Sequence, residues 1–289
     1  TLLWGKVLLA ESQAEQAVIV LEKFGKHNEL PQSYWQILGN AYIKTSNNAK
    51  AGKHYKNWLV QFPNSREAVI GNLVIFDSQG QYQQGIEVSN TYLKKRKNDE
   101  HIQLLNIHFL LQLGHFQQAR AALSLVSAKA KTLPFSKGLL GQLQLQDGKP
   151  VDALANLQIA YQTMPNAKNV RLIYLSYLRQ NKTEAGYRFM ESHVQAQPND
   201  LISLMMLANA QIKVDQTSAI ASYEKALLLN PKNFIALNNL AYFSLERNQL
   251  DKAENYAKQA LAIRPEMADV LDTIARIALA KKDYQAAVN

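Results

Sequence analysis

A small side chain recurs along the chain at a nearly constant interval. Successive members of this series are 34 residues apart, except for two intervals of 33 residues. The series is Ala17, Ala51, Gly85, Ala119, Ala153, Gly186, Ala219, Ala253 and Ala287. A fixed period of this size is the signature of a solenoid built from helix–turn–helix units. The small side chain lets the second helix of each unit approach the first one closely.

Other landmarks follow the same period. A large apolar residue precedes a small one in the first helix at Leu38–Gly39, Leu140–Gly141, Leu207–Ala208, Leu240–Ala241 and Ile274–Ala275. Glycines suited to the left-handed end of a helix precede the second helix at Gly80, Gly114 and Gly148. Prolines that end a helix stand 12 residues after the small residue at Pro63, Pro165, Pro198, Pro231 and Pro265. Helix-capping residues follow at Ser65, Asp200 and Asn233.

These residues resemble the tetratricopeptide repeat family over essentially the whole chain. The pattern is strongest over 35–63 and 237–265, and it is weakest near Asn72 and Lys131. The resemblance implies an all-α fold, a right-handed superhelical solenoid of antiparallel helix pairs with about eight repeats and a partial ninth.

The repeats predict one continuous array over residues 1–289, because each unit of a solenoid buries its apolar face against its neighbours. The predicted units are 1–31, 32–65, 66–99, 100–133, 134–166, 167–200, 201–233, 234–267 and the partial unit 268–289. The link before Pro31 is longer than in the other units, and units six and seven are each expected to lose a residue in the inner turn. Both chain ends fall inside a repeat, which suggests a piece of a longer protein with an upstream targeting segment.

Composition excludes several kinds of site. The chain has no cysteine, which rules out disulfides and thiolate metal sites. No apolar run approaches the roughly 20 residues that span a bilayer. His101, His108 and His115 are spaced by seven residues, which separates them by about 10 Å along a helix, too far for one metal ion. Gly148 and Lys149 lack the spacing and the preceding strand of a phosphate-binding loop.

No nucleophile–base pair or recognisable carboxylate pair occurs, so we predict a protein that is not an enzyme and has no cofactor or metal. The family resemblance implies that the first helices line a concave groove that holds a protein or peptide partner. Projecting the sequence onto that groove gives Ile70, Val74, Leu104, His108, Leu111, Phe135, Gln142, Leu145, Leu175, Leu178, Met205, Asn209, Ile212, Asn238 and Tyr242. The alternative for the leucines in this set is packing between neighbouring first helices.

The net charge of +9 is uneven, with +7 in residues 1–144 and +2 in residues 145–289. No acidic residue occurs between Glu29 and Glu67, or between Glu100 and Asp147. An acidic partner is therefore one expectation, and an alternative function is binding of RNA or an acidic polysaccharide by the basic half. The basic run at residues 94–97 could be a nuclear-localisation or nucleic-acid patch. We favour the simpler interpretation, that cations are stabilised at the C-terminus of a helix by its dipole.

The phrases at residues 236–241 and 268–273 resemble bacterial tetratricopeptide lipoproteins of exosortase and exopolysaccharide systems. This resemblance implies an envelope scaffold for export or assembly of exopolysaccharide or sorted proteins, in the periplasm or anchored at the membrane. The cytoplasm is the alternative location. A further hypothesis is self-association through apolar faces at the two ends of the array.

Overall fold

A computed structural model describes residues 1–25 and 30–283 of the chain. This part of the chain forms α-helices and contains no strand, which confirms the predicted all-α class. The helices are α1 (Leu2–Ala10), α2 (Ala14–Phe24), α3 (Gln32–Lys44), α4 (Asn48–Gln61), α5 (Arg66–Ser78), α6 (Tyr82–Lys95), α7 (Glu100–Gln112), α8 (Phe116–Leu125), α9 (Ala128–Lys131), α10 (Pro134–Gln146), α11 (Pro150–Thr163), α12 (Ala167–Leu178), α13 (Thr183–Ala196), α14 (Leu201–Gln211), α15 (Gln216–Leu229), α16 (Phe234–Glu246), α17 (Leu250–Ile263) and α18 (Ala268–Ala280). Among the described helices none has the length and apolar character to cross a bilayer.

The helices group into two compact units, unit 1 at Thr1–Gln146 and unit 2 at Asp147–Asn289. In unit 1 the first helices of successive repeats contact one another in the order α1, α3, α5, α7 and α10. In unit 2, α12 contacts α14 and α16 contacts α18. Within each unit, second helices pack on the first helix of their own repeat, as in the pairs α3 with α4 and α14 with α15. The single continuous array over residues 1–289 stays a prediction.

The inner turns use a left-handed residue, as the sequence predicts. Gly80, Gly114 and Gly148 have φ values of +67°, +75° and +72°. Residues other than glycine take the same conformation at the matching place in five other repeats, namely Ser12, Ser46, Asn181, Asn248 and Lys282. In these eight repeats the turn keeps one geometry although its sequence varies.

Two repeats are one residue short, and only one of them is short in the inner turn. In the seventh repeat, the stretch between the capping residues Asp200 and Asp215 is one residue shorter than in the two neighbouring repeats, which confirms the prediction. For the sixth repeat, the prediction of a shortened inner turn is wrong. There the cap Asn166 follows Pro165 directly, so the residue is missing from the link before α12, while the inner turn keeps its left-handed Asn181.

The predicted caps form at three helix starts. The side-chain oxygens of Ser65, Asp200 and Asn233 each accept a hydrogen bond from the backbone N–H three residues on. Each bond satisfies one of the N–H groups that a helix leaves unpaired at its start, and a cap of this kind contributes about 1 kcal/mol. The caps therefore fix where these helices begin.

Close contact between large and small side chains holds neighbouring helices together. Every alanine of the small-residue series in the described chain is fully buried. In unit 1 the ring of Tyr55 on α4 lies between Gly39 on α3 and Gly71 on α5. A Cβ atom at Gly71 would lie 2.1 Å from this ring, and one at Gly39 would lie 2.7 Å from it. Gly85 faces the ring of Phe109 in the same way, at 2.7 Å.

The repeat near Lys131 departs from the pattern, as its missing proline predicts. Its second helix, α8, ends at Leu125, and the chain continues through the single turn α9. The Ser127 side chain caps α9 by accepting from the N–H of Ala130. α10 then packs on both α7 and α8. Two predicted features, the longer link at residues 26–29 and the last small residue Ala287, lie outside the described residues.

We expect Gly71→Ala to lower the free energy of unfolding by about 1–3 kcal/mol, because its Cβ overlaps the Tyr55 ring. Urea unfolding followed by circular dichroism measures this change. In a Tyr55→Leu background the ring is absent, so the same substitution should cost clearly less. An equal cost in both backgrounds would contradict the proposed contact.

We also expect stability to fall in alkali. Burial raises the pKa of Tyr55 to about 12, above the unfolded value of about 10. The folded state therefore favours the neutral phenol, and this contribution is complete below about pH 10 and is lost as the pH rises to about 12. Unfolding free energies measured across this range should decline less steeply for Tyr55→Phe. A slope that does not change would show that Tyr55 is not among the groups responsible.

Candidate interaction surfaces

The first helices α14 and α16 of unit 2 expose apolar side chains on two consecutive repeats. Ile202 on α14 and Ile235 on α16 occupy matching positions and are 65% and 43% exposed. Tyr242 is 38% exposed, and Met205 is half-buried. We define the α14–α16 face as Ile202, Met205, Asn209, Ile212, Ile235, Asn238 and Tyr242. Exposed apolar surface of this kind commonly marks an interaction site.

Two asparagines give the α14–α16 face its polar groups. The exposed Asn209 accepts a hydrogen bond from the hydroxyl of buried Tyr223 at 2.5 Å, which ties its side chain to α15. Burial raises the pKa of Tyr223 to about 12, so this phenol stays a donor at neutral pH. The Oδ1 atom of Asn238 is buried and has no hydrogen-bond donor among the described residues.

The remaining predicted groove residues of unit 2 are Leu175 and Leu178 on α12, and both are half-buried. In unit 1, Ile70, Phe135 and Gln142 are also half-buried, and Val74 is exposed. Whether any of these residues contacts a partner stays a prediction.

Four of the predicted groove residues lie in the interior. Leu104, Leu111 and Leu145 are each 3% exposed, and His108 is buried. The prediction that these four residues line an open groove is therefore wrong. The three leucines instead pack between helices, which was the alternative.

The neighbours of α7 explain the burial of His108. Its Nε2 atom lies 2.8 Å from Oδ1 of Asp77 on α5, and the Phe135 ring of α10 lies 6.1 Å from the imidazole. Helices α5 and α10 thus cover α7 from both sides. His101 and His115 are exposed while His108 is buried, so the three histidines share no site.

Sequence reasoning missed an aromatic cluster around His54. Its Nε2 atom donates to the carbonyl oxygen of Trp35 at 2.7 Å, and burial lowers its pKa more than this bond raises it. Ring centroids lie within 6.4 Å of the imidazole for Tyr34, Trp35, Tyr42, Tyr55 and Trp58. His54 is therefore neutral and packs α3 against α4. The aromatic residues at helical spacing in 34–58 were the available signal.

A second missed feature is a hydrogen-bonded chain in unit 2. The imidazole of His193 lies 2.8 Å from the Tyr161 hydroxyl and 3.0 Å from Asp200 Oδ2. Burial tends to raise the pKa of Asp200, but the bonds from Ser203 and His193 hold it below its usual value. The His193 side chain is fully enclosed, so no substrate can reach it. The hydrogen bonds from Tyr161 through His193 to Asp200 hold α11, α13 and the start of α14 together.

The basic run at residues 94–97 lies where the sequence predicts. Lys94 and Lys95 are in the last turn of α6, and Arg96 is its C-cap residue. Nearby, Arg66 donates to Asp99 at 2.7 Å, which neutralises one cation of this region. In the described part of the chain no group of three or more His, Asp or Glu side chains could hold a metal ion.

Comparisons with known proteins support the tetratricopeptide resemblance. Residues 222–255 match the family model described as "Tetratricopeptide repeat". No curated protein matches the sequence.

Solved structures share the fold at low sequence identity. The Cut9–Hcn1 hetero-tetramer of APC/C aligns with a TM-score of 0.58 and 17% identity, covering 96% of this chain and 55% of that chain. This chain thus spans little more than half the length of that one. The human IFIT1 dimer with PPP-AAAA aligns with a TM-score of 0.63 and 13% identity, covering 99% of this chain and 78% of that chain. At these identities the likeness concerns the fold alone.

The burial of Leu104 and the exposure of Val74 predict different effects of the same substitution. Leu104→Asp should lower the free energy of unfolding by more than about 3 kcal/mol, because it buries an unpaired charge. Val74→Asp, at an exposed site, should change it by about 0.5 kcal/mol or less. Urea unfolding of both variants measures the difference. Similar values for the two would contradict this division into core and surface.

Proposed function

We propose that this chain is a non-catalytic scaffold that binds a segment of a partner protein on the α14–α16 face. The observation that carries the proposal is the exposure of Ile202, Ile235 and Tyr242 on consecutive first helices. Burying a fully exposed side chain of this kind contributes roughly 1.5–3 kcal/mol, and these three, which are 38–65% exposed, would each contribute about half of that. Three anchors can therefore hold a partner, while the amides of Asn209 and Asn238 select its orientation.

The partner chemistry follows from the face. Its side chains are apolar or uncharged, and Met205 can adapt its shape to a ligand. A segment with an apolar stripe would complement it. Such a segment is a peptide or helix of another protein.

Polyanion binding by unit 1 is the second candidate. It is favoured by the excess of cations in residues 1–144 and by the stretch without acids between Glu29 and Glu67. The similar fold of human IFIT1 was solved with PPP-AAAA. Binding of this kind would weaken steeply with salt, because counterions are released.

Affinity capture from separated envelope and cytosolic extracts tests the first proposal. The wild-type chain should retain a specific protein that Ile202→Asp/Ile235→Asp loses, because the acids place charge in the apolar contact. The matched control is Val151→Asp/Leu228→Asp, which changes two exposed apolar residues on second helices of the same unit.

Loss with the face variant and retention with the control supports the scaffold. Retention by both variants contradicts the assignment of the α14–α16 face. If wild type and both variants capture the same molecule, and this capture disappears at high salt, the polyanion alternative is favoured.

We further propose an envelope setting, with a role in export or assembly of exopolysaccharide or sorted proteins. It rests on the sequence phrases at residues 236–241 and 268–273. Fractionation of the source cells, with the native protein detected by antibody, tests it. Recovery in the envelope fraction supports the setting, and recovery in the cytosol contradicts it.

A further inference from the structure

A groove lies between the second helices α4 and α6, with α5 as its floor. Its volume is about 750 Å³. The lining residues, which define the α4–α6 groove, are Ala49, Gly52, Lys53, Lys56, Leu59, Val60, Asn72, Ile75, Phe76, Gln79, Gln81, Gln84, Glu87 and Val88. This surface belongs to unit 1 and to second helices, so it is separate from the α14–α16 face.

Small residues on α4 keep the groove open, and its floor is apolar. Ala49 and Gly52 contribute no bulk to the α4 wall. Leu59, Phe76 and Val88 are half-buried. Val60 stands on the rim and is 69% exposed, the kind of exposure that a bound apolar side chain would remove.

The groove continues towards the C-terminal ends of both helices. A hollow of about 270 Å³ shares Leu59 and Val88 with it and reaches Lys95. A further hollow of about 610 Å³ extends from Lys95 to Arg96 and Lys97. The path therefore runs along the two helices and ends at the basic run.

Cations outnumber acids along this path. Lys53 and Lys56 line the α4 wall, and neither has an ion-pair partner in the described chain. The cations Lys95, Arg96 and Lys97 line its far end together with Asp99, which is paired with Arg66, and Glu100. The α4 and α6 walls contribute one acid, Glu87. Apolar floor and basic rim together complement a ligand that carries both apolar and acidic groups.

Exposed amides point to an extended ligand. Gln79, Gln81 and Gln84 line the groove and are exposed. Amides can pair with the backbone of an extended chain, whereas a helix satisfies its own backbone groups. The 14 residues of α4 span about 21 Å, the length of roughly six extended residues.

We propose that the α4–α6 groove binds an extended segment of a partner protein in which apolar and acidic side chains alternate. The apolar side chains point to Leu59, Phe76 and Val88, and the carboxylates point to Lys53, Lys56 and the basic run. Single-stranded RNA fits less well, because the floor offers one partly exposed aromatic ring, Phe76, where base stacking needs several.

Fluorescence anisotropy with the full chain tests the proposal. The probes are two labelled pools of peptides of about six residues. Acidic and apolar positions alternate in the first pool, and the same residues form separate blocks in the second. The alternating pool should bind more tightly, and Lys53→Glu/Lys56→Glu and Val60→Glu should each raise its Kd about tenfold or more.

The charge-matched control is Lys6→Glu/Lys225→Glu, at two exposed lysines outside the groove. It should leave the Kd within about twofold. A control effect as large as that of the groove variants, or equal binding of the two pools, overturns the proposal. An unlabelled RNA oligomer that displaces the peptide and loses affinity with the same groove variants would identify the ligand as nucleic acid instead. Circular dichroism of each variant verifies that helicity is retained. The capture experiment on the α14–α16 face tests a different surface, so its result does not depend on whether the groove binds a peptide.

Discussion

The insertion of a large side chain against a small one is the contact on which this structure depends. Tyr55 fills the space between Gly39 and Gly71, and thereby fixes the separation of α3, α4 and α5 at once. One repeat later the roles of the helices are exchanged, because Phe109 on the first helix α7 packs against Gly85 on the second helix α6. Because interiors are close-packed, neither partner of such a contact can change size freely. Gly85 belongs to the regularly spaced small residues, whereas Gly39 and Gly71 lie outside that series.

The fold depends on local features of the sequence, so the sequence predicts the fold well and the surfaces less well. A small residue, a left-handed turn residue and a capping residue each have a local cause, so Ala51, Gly80 and Ser65 can be interpreted without knowing their neighbours. Helical periodicity also gives the direction in which a side chain points. It does not say how closely the next helix approaches, and this distance decides between core and surface.

Leu104 and Met205 illustrate the difference. They occupy the same repeat position, yet Leu104 is covered while Met205 is only half-buried. The short α8 and the single turn α9 bring α10 onto α7, an arrangement with no regular sequence signature. The α4–α6 groove was equally hard to foresee, since it forms between helices that are distant in sequence. The absence of acids between Glu29 and Glu67 was its only visible trace.

The left-handed turn residues have a consequence for the evolution of the chain. A residue with a Cβ pays roughly 1–2 kcal/mol for this conformation relative to glycine, although asparagine tolerates it better. Ser12, Ser46 and Lys282 therefore hold their turns at an energetic disadvantage that Gly80, Gly114 and Gly148 do not have. Single-codon drift at such sites can raise or lower the thermal tolerance of one repeat without altering either binding surface. Substitutions at the turn residues can thus change the stability of the protein without changing the surfaces proposed to bind partners.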